Sequence, residues 1–209
     1  MKKKLAIFVL SLTLVLTLII PTYAENMSAN ISSTINLNSN YSDLEISEVM
    51  TYDEMIIELM KNENITKKEA IKTLGTRTKF DAMTNTTVSR TFRTIAQRFT
   101  VSPSYRPQMR FYCETEEGYY FRAIYEILNV GMNRYYDGIS KQFGGDVYVH
   151  LKTANEIFFI VNGDFYNNGT TSGGGDMAIG LDEVVKVRFH VSGSSNHFKY
   201  CYTEESAYF

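Results

Sequence analysis

The sequence predicts a mainly β fold, an antiparallel β-sandwich with a closed barrel as the alternative, preceded by a short two-helix hairpin. Three observations carry that expectation. From about Thr87 onward the apolar residues recur with a period of two. The links between these alternating runs are short and hold no long helix, so successive strands run antiparallel. Upstream, two Thr-x-x-Glu boxes frame the clearest stretch with a helical period.

Lys2, Lys3 and Lys4 form a basic start, Leu5 to Ile20 form an apolar run, and Thr22-Tyr23-Ala24 presents small residues at the positions a signal peptidase reads. This is the pattern of a secretory leader, residues 1–24, cleaved after Ala24. The run is interrupted by Ser11, Thr13 and Thr17 and falls short of the roughly 20 apolar residues a spanning helix needs. The chain is therefore expected outside the cell. Without the leader's three lysines, Lys+Arg falls from 21 to 18 against 23 Asp+Glu, a net charge of −5. That balance, with no concentrated basic face, argues against a nucleic-acid partner.

Residues 25–47 are rich in Asn and Ser, lack both periods and read as a flexible polar stalk. The Asn-x-Ser/Thr triplets here and downstream carry no weight, because the Lys-, Asn- and Ile-rich usage reads as bacterial. Residues 48–78 read as the helical hairpin. Thr51 with Glu54, and Thr66 with Glu69, cap two helices. Tyr52, Met55, Ile56, Leu59 and Met60 form one apolar stripe, Ala70, Ile71 and Leu74 a second, and Gly75 is the stop. A DNA-reading helix pair has similar parts, but export and acidity count against it.

Residues 84–209 read as the antiparallel β-domain. Arg90 to Val101, "QMRFYCE", "YYFRAIYEILNV", "DVYVHLKT", "EIFFIVNG", "EVVKVRFHVS" and "HFKYCYT" give seven strands, the last two joined by a turn at Gly193 to Asn196. The layout of leader, stalk, hairpin and β-domain resembles exported proteins of low-GC Gram-positive bacteria, a resemblance that implies no activity.

Cys113 and Cys201 are an even pair in an exported chain and read as one disulfide, contributing up to ~4 kcal/mol. One detail opposes it. Cys113 shares the apolar face of its strand with Met109 and Phe111, whereas Cys201 alternates with Lys199 and Thr203.

The segment "VNGDFYNNGTTSGGGDMAIG" has the look of a site. A phosphate loop needs a lysine and a hydroxyl after its glycines, and here Asp176 follows instead. Asp164, Asn167, Asn168 and Asp176 offer calcium-type oxygens at a spacing that fits no EF-hand. The favoured reading is a long hairpin connection, with no metal and no cofactor. Catalytic signals are sparse. His150, His190 and His197 are the only histidines, and His197, Ser194 and Asp182 lack a nucleophile-elbow setting.

Tyrosine is the skewed residue, 15 of them with no tryptophan. Tyr112, Tyr119 and Tyr120, interleaved with Arg110 and Arg122, are the candidate contact residues, since tyrosine offers an apolar face and a polar tip at small entropic cost. The expected function is a secreted, non-enzymatic module that binds a protein or cell-surface component. A small secreted hydrolase is the alternative. A membrane-active β-protein is the second, drawn from the polar/apolar alternation of "TVSRTFRTIAQRFTVS".

Overall fold

A computed structural model describes residues 43–75 and 90–209, apart from the side chains of residues 175–177. The leader, the stalk up to residue 42, residues 76–78 of the helical segment and residues 84–89 of the β-segment lie outside the described residues.

Helix α1, Tyr52–Glu63, and helix α2, Lys67–Leu74, each start at a complete capping box. Thr51 and Thr66 accept from the backbone N–H of Glu54 and Glu69, and both glutamates reach back to the threonine N–H at 2.8 Å. The chain turns between them at Asn64, which takes the left-handed conformation (φ 54°). Met55, Ile56 and Leu59 of α1 and Ala70 and Leu74 of α2 are buried on one face.

That face packs on a five-stranded antiparallel sheet, ordered β1-β2-β3-β4-β9. Its strands are β1 (Leu44–Ile46), β2 (Arg90–Arg98), β3 (Gln108–Glu117), β4 (Arg122–Asn133) and β9 (Gly175–Ile179). The helices sit over Phe92, Tyr112 and Leu128, with Tyr52 edge-on to Phe92 at 6.0 Å. The opposite face of this sheet meets a second layer built from β7 (Gln142–Thr153), β8 (Glu156–Gly173) and β10 (Val184–Tyr208). Ile95, Phe111 and Ile127 from one side interdigitate with Val149, Phe159 and Val161 from the other, and the Phe111 and Phe159 rings lie 5.4 Å apart. The architecture is helices on sheet on sheet, a sandwich. The central sheet is thus apolar on both faces, so β3 buries Tyr112 beneath the helices as fully as Phe111 within the sandwich.

In the second layer each strand pairs with both others: the start of β10 with β7, the rest of β10 with β8, and β7 with β8. Strands as long as β8 and β10 bend enough to allow this. Three strands are too few to enclose a lumen, and no closed barrel forms.

The elements depart from the sequence expectation at four places. Leu44–Ile46, the end of the polar stalk, pairs with β2 as a short edge strand whose Glu45 meets Arg98 at 2.9 Å. The two strands expected around Gly193 to Asn196 are one continuous β10. Gly193 (φ 59°) and Asn196 (φ 60°) absorb irregularities between Ser192 and Lys199 instead of reversing the chain. A ribbon not foreseen, β5 (Tyr135–Tyr136) and β6 (Ile139–Ser140), turns at Asp137 and Gly138 with φ of 46° and 75°. The expected loop from Val161 to Gly180 is mostly strand. β8 runs to Gly173, and Gly174 is the corner at which the chain crosses to β9 in the other sheet. Both glycines have φ above 100°, and a Cβ on Gly173 would stand 2.5 Å from the Arg188 carbonyl oxygen.

Candidate binding surface

The β3–β4 hairpin closes with Gly118 N–H donating to the Phe121 carbonyl at 2.8 Å, which leaves Tyr119 and Tyr120 as a two-residue loop. Two-residue hairpin loops favour primed turns with positive φ, hence Asn and Gly. The Asp137-Gly138 turn obeys that rule, whereas neither tyrosine has positive φ. Turn stereochemistry therefore does not account for Tyr-Tyr at this position. Both rings project into solvent, 91% and 93% exposed and stacked edge to face at 4.5 Å, with Phe121 half exposed beside them.

The tip is held by its neighbours. Asn155, in the β7–β8 turn, donates through Nδ2 to the carbonyls of Arg122 (2.8 Å) and Phe209 (3.0 Å). The Phe209 N–H donates back to the Asn155 carbonyl, and the Arg122 guanidinium lies 4.8 Å above the Phe209 ring. One end of the sandwich thus gathers the β3–β4 loop, the β7–β8 turn and the end of β10 with its exposed Tyr208. Alongside lies a cleft of about 420 Å³ with an apolar lining of Ile124, Tyr125 and Leu181 and the carboxylates of Glu116 and Glu126. Behind the tip, Arg93 grips Glu117 with two hydrogen bonds of 2.7 Å, and this contact holds the Glu117 carboxyl below its usual range. Rigid support of exposed loops at one end of a sandwich is the arrangement that suits recognition.

Comparison with protein-family models, with curated proteins and with solved structures found no match.

The structure divides the candidate contact set. Tyr119 and Tyr120 stand at the tip, and Arg122 begins the strand behind them. Tyr112 is fully buried, its hydroxyl donating to Glu63 Oε1 at 2.7 Å, so it contributes nothing to an exposed surface. Arg110 lies between Ala96 and Gly131 in the sheet, far along β3 from the tip. Alternation alone had placed Tyr112 on a solvent face because it does not show that helices cover that face.

The disulfide expectation is corrected: Cys113 and Cys201 are both buried free thiols. Cys113 is directed at the Phe111 carbonyl (3.6 Å) and Cys201 at the Thr100 carbonyl (4.0 Å). Burial raises both thiols, Cys201 to about 11 and Cys113 further, so neither is a ready nucleophile.

The four calcium candidates are already engaged or dispersed. Asp164 Oδ1 meets His197 Nε2 at 2.8 Å, Asn167 Oδ1 accepts from Lys141 at 2.5 Å, and Asn168 Nδ2 donates to Ser195 at 3.3 Å. Asp176 belongs to β9, opposite Asn129 in the other sheet. Among the described residues no group of three His, Cys, Asp or Glu side chains converges as a metal site. The hydrolase set also separates. His197 pairs with Asp164, while Asp182 pairs with His150 at 3.0 Å. The arginines of β2 are each matched to an acid: Arg90 to Glu114, Arg93 to Glu117 and Arg98 to Glu45.

Proposed function

We propose that this protein is a secreted binding module that contacts a protein or cell-surface component through the aromatic end of its sandwich. The observation that carries the reading is the Tyr119-Tyr120 loop. Two large side chains are held almost wholly in solvent at the tip of a hairpin braced by the Arg93–Glu117 pair and by Asn155. Tyrosines on a rigid support bury much area at little entropic cost when a partner covers them. The acidic, apolar-walled cleft beside the tip favours a partner surface that presents a basic side chain with an apolar stem.

Co-sedimentation of the purified protein with washed bacterial cells and, in parallel, with liposomes tests the proposal. Pelleting with cells and not with liposomes supports it. Recovery in both supernatants removes the cell surface as the target, and pelleting with liposomes alone favours the membrane reading instead.

A further inference from the structure

An antiparallel sheet with one solvated face normally turns its apolar residues to the core and its polar ones to water. The outward face of the second layer departs from that pattern. Val147, Val149, Phe159 and Val161 point into the sandwich core, so Tyr148 and Ile160, each one residue on, point outward. Phe158, half buried, lies on the same outward face, as do Val184 and Tyr202, which are 62% and 55% exposed.

The registers of β7, β8 and β10 set these residues in rows. One row reads Lys186, Tyr148, Ile160 and Glu204, a cation at one edge, an aromatic and an aliphatic in the middle and an anion at the other edge. The next row reads Arg188, Asp146, Asn162 and Tyr202. Within the chain the end charges of the first row are loosely held. Arg188 takes Asp146 with contacts of 2.8 and 3.3 Å, which leaves Lys186 3.7 Å from that carboxylate. Glu204 accepts from a neutral group, the Tyr202 hydroxyl, at 2.6 Å.

We infer that this face docks on the same face of a second copy of the chain, about a two-fold axis lying in the interface and parallel to the strands. Rotation about that axis reverses every row. Lys186 of each copy then stands opposite Glu204 of the other, and Tyr148 opposite Ile160. In the next row Arg188 meets the Tyr202 ring, and the Asp146 carboxylate faces the Asn162 amide, which can donate to it. A row with like charges at its two ends would repel itself under the same operation, so the unlike ends are what select a second copy as the occupant. Packed sheets cross at about 30°, which displaces the row ends by about 4 Å, within the reach of a lysine. Four strand lanes by about seven residues give a patch roughly 20 Å on a side, a small interface with a Kd of roughly 1–100 µM. The axis runs along the strands, so both aromatic tips emerge at the same end of the dimer. That consequence rests on the function proposed above and would give two contacts with one surface; the dimer itself does not depend on it.

Sedimentation velocity of the purified full chain from about 1 to 500 µM tests the inference. The mass should rise with concentration from one chain toward two. Lys186→Glu and Glu204→Lys, both at exposed positions, should each weaken the dimer about tenfold or more. An equimolar mixture of the two variants should regain it, because the heterodimer restores both unlike pairs, and so should the double variant. Tyr119→Ser/Tyr120→Ser should dimerise as the parent does, so this test and that of the tip fail separately. A monomer throughout, a dimer unmoved by either charge reversal, no recovery on mixing, or loss of the dimer in the tip variant overturns the inference.

Discussion

Replacing Tyr112 by Phe isolates one atom in the joint between the helices and the central sheet. The ring is fully buried among Met55, Leu59 and Phe92, so its apolar packing survives the change. What disappears is the hydroxyl that donates to Glu63 Oε1 at 2.7 Å. The carboxylate then keeps its place against Gly131 without that donor. Leaving a buried charged acceptor unmatched costs about 1.5–3 kcal/mol. For a folded unit of this size each kcal/mol lowers Tm by about 2–4 °C, so the variant should melt roughly 3–12 °C below the parent. Differential scanning calorimetry at pH 7 reads the shift. The cycle with Glu63→Gln reads the coupling, which should account for most of the loss. A Tm within about 1 °C of the parent, or additive effects in the cycle, would refute the reasoning that this bond helps to hold the helices in place.

Three further outcomes follow from the same structure. Burial raises the Glu63 carboxyl above its usual 4.5, outweighing the Tyr112 hydrogen bond and the charges of Arg110 and Arg134. Its contribution is thus fully present below the unfolded value and is lost as pH rises through the folded one. Melting curves from pH 4 to 8 should show the parent losing ground to Glu63→Gln as pH increases, and a constant difference would contradict this. Both cysteines should titrate as free thiols with Ellman's reagent in denatured, unreduced protein and react slowly in the native state; absence of free thiol would show that they are bonded. Thr51→Ala and Thr66→Ala each remove an N-cap and should each lower stability by about 0.5–2 kcal/mol in urea titrations.

The helical hairpin was legible because its signals are local. A capping box is a covalent spacing of four residues, and the stripe of Met55, Ile56 and Leu59 needs no knowledge of the partner face. The sandwich was legible at the level of period and connection length. What stayed hidden depended on contacts distant in sequence. Nothing around Tyr112 announces that α1 will cover it, since that requires placing residues 52–63 over β3. The turn-like Gly193 to Asn196 segment and the glycine run at Gly173 gave the right local conformations, positive φ, but the wrong consequence. A bulge or a sheet crossing uses the same residues as a reversal, and only the strand partners distinguish them.

The site was legible in part for the same reason. Tyr119 and Tyr120 stood out as tyrosines interleaved with arginines in an expected strand, whereas β4 starts only at Arg122 and the two rings occupy the loop before it. The cysteines misled because compartment and parity are weaker constraints than the positions at which the strands place the two thiols.

The most direct test of the central claim is a binding isotherm on washed cells for the parent and for Tyr119→Ser/Tyr120→Ser. Circular dichroism should show the same fold for both, because the substituted side chains lie in solvent. If the tip is the contact, loss of two anchoring aromatics should weaken binding by about 2 kcal/mol or more, roughly thirtyfold. An isotherm that superimposes on the parent's would contradict the account and move the contact elsewhere on the molecule.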